Sequence, residues 1–581
     1  WDEELTLLKE ASIDADKMWK AAGKPRSGSL YIKRQTSRSL YRKGIRDRQK
    51  SESTSYSNDL HDALMQKNGP SSWKVWRSKF ESSNKCSEVA GCVDSEQIVV
   101  KFADYFQNCY TCNSTEQANN IARDYVDLRD KYSGFPLPDN FQITTEIVDK
   151  TIDDLKRGRA ADLDGLTAEH LVHAHPALPV LLARLFCLII RNRRVPDNFL
   201  RNYIVPVPKL KECRNKSLLC DDFRGIAISS IVSKVFEYCL LHNIQSYLYS
   251  DEMQFGFKKN VGCRDAIFTL RTAVDRLLKG GYTANLCSLD LSKAFDKVNH
   301  HMLYIKLMER HLPVEILQLL ETWLDNCYSC VKWSSSYSSL FNVNFGVRQG
   351  SVLSPLLFAV YVDDVFACSS LIDNNFILLY ADDILLIAPS VCALQNLLHK
   401  CENVLSSLDM NINYKKSNCL RIGNRYKAKC SSIVTSSGHW LDWCEEIRYL
   451  GMFIVSGLKF KCSLGNAKRS FYRAANAVLG KTLGIAHENV IIHLLQAKCV
   501  PILLYCLECV NPTASDLKSL DFVVNRFLMK LFKTSKIDVI DDIRNYFCVE
   551  LPSETIGYRI LKYSRKCAQI RPSLYRWLMN V

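Results

Sequence analysis

Two adjacent aspartates interrupt an apolar segment in the second half of the chain. Residues 376–388 read FILLYADDILLIA, with Asp382 and Asp383 at the centre. An unpaired buried carboxylate is costly and two neighbouring carboxylates repel each other, so the pair must face water or bind a cation. The flanking apolar runs have the length and composition of strands, which predicts a β-hairpin with both carboxylates at its tip. An acidic hairpin turn without further chemistry has the same pattern, because Asp favours turns.

A third carboxylate, Asp290, lies in the segment CSLDLSKAFDKVNH. The preceding residues 284–289 read as a strand that enters the core, so Asp290 should lie at its end, with a helix beginning near Ser292. Carboxylates on a strand end and a nearby hairpin form a set of hard oxygen ligands suited to Mg²⁺, which water and substrate phosphates complete. Two such ions ~3.5–4 Å apart hold the attacking and leaving oxygens of a phosphoryl displacement.

Between these carboxylates lies a glycine-rich segment, residues 345–358, which reads FGVRQGSVLSPLLF. It predicts a turn that runs into a helix, with Arg348 and Gln349 at the mouth, where they could contact a base pair and a phosphate. A capped helix with no ligand is equally compatible with the pattern.

The length, composition and net charge of the chain limit the classes of protein to which it can belong. At 581 residues the chain is long enough for roughly three to five domains. An apolar content of 47% with 10% aromatics is typical of globular proteins. The net charge of +15 favours a polyanionic partner, nucleic acid first and an anionic membrane surface second.

The 24 cysteines read as free thiols of a reducing compartment, because the chain is long and has no signal peptide. Three C-x-x-C pairs lack a second ligand pair at finger spacing, which argues against zinc. No uninterrupted apolar run reaches ~18 residues, so we expect no transmembrane helix and no membrane partner. The chain begins with Trp1 rather than Met, which predicts that it is a piece of a longer protein.

The N-terminal region is strongly basic. Residues 17–50 contain twelve Lys or Arg and one acid, Asp47, with Trp19, Tyr31 and Tyr41 interleaved. This pattern suits an arm that follows a nucleic-acid backbone, and it suits a solvated basic helix face equally well. The Ser-rich residues 51–57 that follow read as a linker.

Five segments together resemble one family. SLDLSKAFDKVNH, GVRQGSVLSPLLF, YADD, MNINYKKSN and IRYLG occur in the order of the palm motifs of reverse transcriptases. They are most similar to those of non-LTR (LINE-type) retrotransposons. The resemblance covers about residues 153–457 and is weaker outside them.

The resemblance implies an α+β fold, a right-hand polymerase with fingers, a palm of mixed sheet plus helices, and a helical thumb. The predicted domains are a basic linker from a missing endonuclease (1–95), a helical N-terminal extension (96–200), fingers (201–280), the palm (281–455), and a helical thumb with the C-terminal region (456–581).

The resemblance also implies roles for single residues. Asp290 and Asp382 are similar to the principal metal ligands, and Asp383 to the third carboxylate of a site for two Mg²⁺ ions, with Mn²⁺ as a possible substitute. Lys416 resembles the palm lysine near the leaving pyrophosphate, where an ammonium stabilises charge or donates a proton. Phe295 stands where such polymerases carry an aromatic that crowds the 2′-hydroxyl of a ribonucleotide, so it favours DNA synthesis.

Further residues match nucleotide- and template-binding positions. Those implied at the nucleotide, besides Phe295, are Lys209, Arg224, Arg348, Gln349 and Gly350. Those implied at template or primer are Gln254, Gly256 and Phe257, together with Tyr449, Leu450 and Gly451 of a primer-grip hairpin. An ordinary surface cation is the alternative for Lys209, Arg224 and Lys416.

One segment imitates the YADD motif. Residues 361–364 read Tyr-Val-Asp-Asp, nineteen residues earlier, but they lack an apolar strand on both sides. Asp363 and Asp364 are therefore expected to be helix-end residues.

The chain departs from the family pattern in three places. Gly225 stands where a proline is usual, GRAADLDG lacks the usual Gly-Pro spacing, and Cys263-Arg264 replace small hydroxylated residues. None of these touches the expected metal ligands.

The implied function is RNA-directed DNA polymerisation with dNTPs, an RNA template and a DNA primer or target. An intracellular location is expected, in the nucleus and in a cytoplasmic ribonucleoprotein. A decayed copy that binds RNA without polymerising, or a maturase- or telomerase-like polymerase, is the alternative.

Overall fold

The chain divides into two compact units. The computed structural model describes residues 3–65, 88–137, 141–209, 218–370, 372–483 and 486–570. The first unit contains Trp1–Ser83, Leu464–Glu508 and Pro512–Arg559. The second contains Asn84–Ser463, Cys509–Asn511 and Ile560–Val581. All three predicted metal ligands belong to the second unit.

Helices account for most of the described residues. The α-helices are α1 (Glu3–Ala21), α2 (Ser29–Met65), α3 (Ser95–Cys109), α4 (Thr115–Lys131), α5 (Thr145–Asp153), α6 (Ala168–Val172), α7 (Leu178–Asn192), α8 (Asp197–Leu200), α9 (Ile231–Ile244), α10 (Cys263–Lys279), α11 (His300–Glu309), α12 (Val314–Asp325), α13 (Ser354–Tyr361), α14 (Val391–Ser407), α15 (Gly465–Thr482), α16 (Glu488–Leu494), α17 (Val500–Leu503), α18 (Ala514–Phe532), α19 (Ile537–Tyr546) and α20 (Pro552–Ile570). Short 3₁₀ turns span Cys220–Asp222, Ala294–Lys297, Asp363–Cys368 and Leu507–Cys509, and one π-turn spans Leu495–Cys499.

Strands occur in the second unit. They are β1 (Arg201–Pro208), β2 (Phe223–Ser229), β3 (Ala284–Asp290), β4 (Tyr328–Trp333), β5 (Ser336–Tyr337), β6 (Phe341–Asn342), β7 (Phe376–Tyr380), β8 (Asp383–Ala388), β9 (Asn418–Ile422), β10 (Ile433–Val434), β11 (Trp440–Trp443), β12 (Glu446–Tyr449), β13 (Met452–Val455) and β14 (Lys461–Cys462).

A six-stranded sheet with the order β10-β11-β9-β3-β8-β7 carries the predicted metal ligands. β3 pairs antiparallel with both β8 and β9, and β9 pairs parallel with β11. Strands β7 and β8 are almost wholly buried and helices α10 and α14 pack against the sheet. This covering explains why both strands read as continuous apolar runs rather than alternating ones.

Two further sheets complete the second unit. One has the order β2-β1-β4-β5, with β6 also paired to β4; β1 is antiparallel to β2 and parallel to β4. The other is the antiparallel sheet β12-β13-β14. The fold is α+β with mixed sheets, as expected for a right-hand polymerase.

A long-range capping contact joins the start of this unit to the segment that follows α14. The side chain of Asp409 accepts hydrogen bonds from the backbone N–H groups of Asn113 and Ser114, at 2.9 and 3.0 Å. Ser114 is the N-cap of α4, so a carboxylate 295 residues away stabilises this helix start.

One expected linker is a helix. Residues 51–57 belong to α2, which runs without interruption from Ser29 to Met65. Serine favours loops only weakly, and the tertiary contacts of α2 with α1 and α16 override that preference.

One helical stretch, Glu488–Cys509, is long and apolar enough to cross a membrane. Half of an 18-residue segment within it is buried in the protein. The sequence criterion of an uninterrupted apolar run did not detect it, because charged residues stand within it. The burial is that of a core helix, so this is weak evidence for a membrane span.

Candidate functional site

The predicted hairpin is present, with the carboxylates at its tip. Strands β7 and β8 pair antiparallel up to Tyr380 opposite Asp383, which leaves Ala381 and Asp382 as a two-residue turn. Ala381 has a φ of +58°, a left-handed conformation typical of such turns. Asp290 ends β3 directly opposite Asp383 on β8. The three aspartates therefore lie at one end of adjacent strands, as the sequence predicted.

These carboxylates perturb each other. Burial, followed by the charges of Asp382 and Asp290, raises the pKa of Asp383 to about 6. Burial and the Asp290 charge also raise the pKa of Asp382. Lys416 Nζ lies 3.7 Å from Asp290 Oδ2, but its side chain is 65% exposed. The charges of Arg224 and Arg448 lower the pKa of Asp383 by less than burial and the neighbouring carboxylates raise it, so the site favours additional cationic charge.

The donor chemistry fits a magnesium ion. Carboxylate oxygens are the ligands that Mg²⁺ prefers, and it retains positions for water and substrate phosphates. Within the described residues no group of three or more His, Cys, Asp or Glu side chains is arranged to hold a metal ion. The protein thus presents an open set of carboxylates rather than a closed cage, and the assignment of metal ligands stays a prediction.

Phe295 lies in an aromatic cluster. Its ring stacks on Phe358, with centroids 4.4 Å apart, and meets the edge of Phe257 at 6.0 Å. The backbone N–H of Val347 donates to the Phe295 carbonyl at 2.8 Å. The structure therefore brings together a residue predicted at the nucleotide and one predicted at the template.

The side chains of the glycine-rich turn point into the protein. Arg348 is 6% exposed and its Nη1 donates to the Phe199 carbonyl at 3.2 Å. Gln349 Nε2 donates to Asp296 Oδ1 at 2.9 Å. Both side chains therefore hold the turn in place, and their contacts with a nucleotide stay a prediction.

Gly350 is required by a close approach of two backbone segments. It has a φ of +135°, and a Cβ there would lie 2.4 Å from the carbonyl oxygen of Ala227 on β2. The N–H of Ala227 also donates to the Gln349 carbonyl at 2.8 Å. The turn thus packs against β2, and a role of Gly350 at the nucleotide stays a prediction.

The predicted finger cations lie on paired strands. Arg224 on β2 is exposed, and its charge lowers the pKa values of Asp382 and Asp383 against the larger effect of burial. Lys209 follows β1; its Nζ donates to the Asp221 carbonyl and its side chain is 40% exposed. Arg224 thus acts electrostatically on the carboxylates, while Lys209 is anchored beside the 3₁₀ turn.

The segment expected at the template supports the hairpin. Gln254 is fully buried, and its Oε1 accepts from the N–H groups of Gly256 and Ala381 at 2.9 and 3.2 Å. A Cβ on Gly256 would lie 2.5 Å from the Ala381 nitrogen. The Gln254 side chain therefore fixes the turn that carries Asp382, and its contact with a template stays a prediction.

The predicted primer-grip segment is a tight hairpin. Tyr449 pairs with Met452, and Leu450 and Gly451 form the turn with φ values of +46° and +82°. Tyr449 is buried, and burial raises its pKa, with a smaller contribution from Asp383. The hairpin geometry is confirmed, and its contact with a primer stays a prediction.

Sequence reasoning missed Lys293 and its partners. Lys293 has a φ of +50°; its Nζ lies 3.1 Å from Cys109 Sγ and 4.4 Å from the Tyr105 ring centroid. Tyr105 donates to Asp221 at 2.7 Å, and this bond lowers the Asp221 pKa most, followed by the charges of Lys209 and Lys293. The sequence offered one indication of a role for Lys293, because it stands three residues after the predicted metal ligand Asp290.

The two aspartates of the Tyr-Val-Asp-Asp segment, residues 361–364, form ion pairs within the protein. Asp363 Oδ2 lies 2.7 Å from Arg310 Nη2, and Asp364 Oδ2 lies 2.6 Å from Lys306 Nζ. Both aspartates begin the 3₁₀ turn after α13. The expectation of helix-end residues is confirmed.

Two departures from the family pattern have local causes. At Gly225 a Cβ would lie 2.7 Å from Phe106 Cε1, so the Phe106 ring occupies the space of any larger residue. Asp162 of GRAADLDG is 7% exposed and accepts from the N–H of Ile231, at the start of α9. Gly225 and Asp162 therefore both make contacts that the packing of this unit requires.

The comparisons with known proteins agree with the motif analysis. A family model described as "Reverse transcriptase (RNA-dependent DNA polymerase)" matches residues 208–454. The RNA-directed DNA polymerase from mobile element jockey of Drosophila funebris is 28% identical over 269 residues, 43% of this chain and 29% of that protein. The Pol polyprotein from type-2 retrotransposable element R2DM of Drosophila melanogaster is 25% identical over 303 residues, 49% of this chain and 28% of that protein.

A third relative, the probable RNA-directed DNA polymerase from transposon X-element of Drosophila melanogaster, is 30% identical over 210 residues, 34% of this chain and 23% of that protein. The matches thus span less than a third of each of these relatives. A solved structure of apo telomerase from Candida Tropicalis, truncated from the C-terminal domain, has a TM-score of 0.34 at 16% identity, covering 46% of this chain and 55% of that one.

Proposed function

Because residues 208–454 of this chain form a reverse transcriptase domain, we propose that the protein is the RNA-directed DNA polymerase of a non-LTR retrotransposon. It would transfer nucleotides from dNTPs to a primer 3′-hydroxyl on an RNA template, primed at a nicked target strand. The partners are then the RNA template, the DNA primer or target, and dNTPs. The protein would act inside the cell, in the nucleus and in a cytoplasmic ribonucleoprotein.

The observation that carries the proposal is the juxtaposition of Asp290, Asp382 and Asp383 at one end of the central sheet. The raised pKa values of Asp382 and Asp383 mark a site whose negative charge is only partly offset by the cations near it. Two Mg²⁺ ions held there would activate the primer hydroxyl and stabilise the leaving pyrophosphate.

The protein's own residues would orient the reactants. Phe295 presents a rigid ring, held by Phe358, against the sugar of the incoming nucleotide and leaves no space for a 2′-hydroxyl. Arg224 and Lys416 supply positive charge near the carboxylates, where triphosphate charge develops as the bond breaks. The chain thereby positions and selects a dNTP.

The test is primer extension on an RNA template with Mg²⁺, offering either dNTPs or rNTPs. We expect extension with dNTPs, and a loss of at least about 1,000-fold in rate for Asp382→Asn, as for removal of a group acting in the transition state. The matched control is Asp363→Asn, the same change in the imitation motif, which should retain polymerisation. Loss with Asp363→Asn and activity with Asp382→Asn would refute the site. A folded chain that binds RNA and extends no primer would favour the decayed copy.

A further inference from the structure

Helix α2 has two chemically different faces. On one face its side chains pack toward α1: Arg34 Nε lies 2.6 Å from Asp16 Oδ1, and its guanidinium covers the Trp19 ring at 3.8 Å. Arg48 Nη2 pairs with Glu4 Oε2 at 2.9 Å along the same helix pair. The acids of α1 therefore neutralise the cations that face them.

Beyond Arg34, the next cations along α2 are exposed and lack such partners. Arg38, Arg42 and Arg46 follow one another at four-residue intervals, and Lys43 lies beside them. At a rise of ~1.5 Å per residue, the three arginines extend over ~12 Å along one side of the helix. Within the described part of the chain no acidic side chain forms an ion pair with any of these four. We call Arg38, Arg42, Lys43 and Arg46 the α2 basic stripe.

A solvated helix face usually mixes both signs of charge, because like charges at four-residue spacing destabilise a helix. Among the residues of α2 whose side chains the structure describes, up to Arg48, Asp47 is the one exposed acid. A row of unpaired arginines is the arrangement that neutralises successive phosphates.

The interleaved aromatics do not join this surface. Trp19 Nε1 donates to the Pro25 carbonyl at 2.9 Å, and its ring is covered by Arg34. Tyr31 Oη accepts from Gln35 at 3.1 Å, and Tyr41 is half-buried. The stripe therefore lacks rings for base stacking, the usual companion of single-strand binding.

We propose that the α2 basic stripe is a second nucleic-acid site, which binds a phosphodiester backbone without sequence preference. The proposal rests on the proposed function for its ligand, a strand of the template RNA or of the target DNA. Both sources offer the same phosphate chemistry, and binding assays with each distinguish them.

The test compares the full chain with the triple variant Arg38→Gln, Arg42→Gln, Arg46→Gln. The matched control is Lys17→Gln, Lys20→Gln, Lys24→Gln, which removes the same charge from α1 and the connection that follows it, away from the stripe. Affinity for a fluorescent RNA hairpin and for a DNA duplex, both of unrelated sequence, is measured by anisotropy between ~50 and ~200 mM salt, without dNTPs. Three lost phosphate contacts lower the salt slope on a duplex by about 3 and the affinity by about 500-fold near 0.1 M.

We expect that loss on RNA, on DNA or on both for the stripe variant, with the control near wild type. The variant Arg38→Lys, Arg42→Lys, Arg46→Lys should retain affinity, because a phosphate accepts a point charge. Equal affinity and salt slope for stripe variant and wild type on both ligands would overturn the proposal, as would equal losses in stripe variant and control. Extension of a short annealed primer is measured as kcat at template concentrations that saturate each variant, so a failure of the polymerase itself is recognised separately from a loss of affinity.

Discussion

Glu237 is expected to hold the glycine-rich turn in place. Its side chain on α9 is 1% exposed, and Oε2 accepts from Ser351 Oγ at 2.5 Å and from the N–H groups of Val352 and Leu353 at 2.6 and 3.1 Å. Its Oε1 lies 3.8 Å from Arg348 Nη2, beyond hydrogen-bond distance. The carboxylate thus accepts hydrogen bonds from three donors just before α13.

The substitution Glu237→Gln keeps the shape and removes the charge. Hydrogen bonds to charged groups contribute ~1.5–3 kcal/mol and neutral ones ~0.5–1.5 kcal/mol, so each of the three bonds weakens by about 1 kcal/mol. The local opening free energy of the turn should therefore fall by about 3 kcal/mol. Because 1.4 kcal/mol is a factor of ten, amide exchange in this segment should accelerate by about 100-fold.

Hydrogen-exchange mass spectrometry on peptides that cover residues 351–358 measures this directly. The matched control is Glu309→Gln, which changes a half-exposed partner of Lys306 on α11. Surface substitutions of this kind change the free energy of unfolding by at most about 0.5 kcal/mol. Glu309→Gln should therefore leave the amide exchange of the turn unchanged. If the peptides of folded Glu237→Gln exchanged within threefold of wild type, the reasoning from the three hydrogen bonds would be refuted.

Two further outcomes concern Phe295 and its neighbour. Phe295→Val removes the ring edge and should lower the preference for dNTPs over rNTPs by about 10- to 100-fold, measured as the ratio of kcat/KM values; an unchanged ratio would refute steric exclusion by this ring. Burial raises the pKa of Asp296 to about 6, so the folded protein binds its proton more tightly than the unfolded chain does. Stability is then greatest below pH 4 with respect to this group, falls as pH rises from 4 to 6, and is constant above that range. Asp296→Asn should remove a destabilisation of about 3 kcal/mol at pH 7.5 and about 1 kcal/mol at pH 4.5; equal shifts in unfolding midpoint at both pH values would contradict this.

The carboxylate geometry was predictable because it depends on local pattern. Strands buried on both faces need continuous apolar runs, and a two-residue turn between them fixes where Asp382 and Asp383 stand. Asp290 follows from the same logic, since the apolar run of β3 ends at it. The helix expected near Ser292 begins later, at His300, after a left-handed Lys293 and a 3₁₀ turn.

The inward-facing polar residues could not be predicted in the same way. Arg348 and Gln254 carry polar side chains in conspicuous motifs, and a sequence gives no sign of whether such a side chain points to a ligand or to the protein. Their partners lie far away along the chain: Phe199 for Arg348 and Ala381 for Gln254. Burial of that kind is decided by tertiary packing rather than by local propensity.

The sequence also could not show which cations of α2 pair with acids. The composition of residues 17–50 left an arm and a solvated helix equally open. Only the position of α1 shows that Arg34 and Arg48 face acids while Arg38, Arg42 and Arg46 do not.

The cap that Asp409 provides to α4 sets an order for folding during synthesis. Its partners, Asn113 and Ser114, leave the ribosome 295 residues or more before it does. At ~5–20 residues per second, that interval is about 15–60 s. Contacts of such long sequence separation also carry a large loop-closure entropy, which slows their formation. The start of α4 therefore stays without this cap for about 15–60 s of synthesis, so its final stabilisation is post-nucleation and depends on a much later part of the chain.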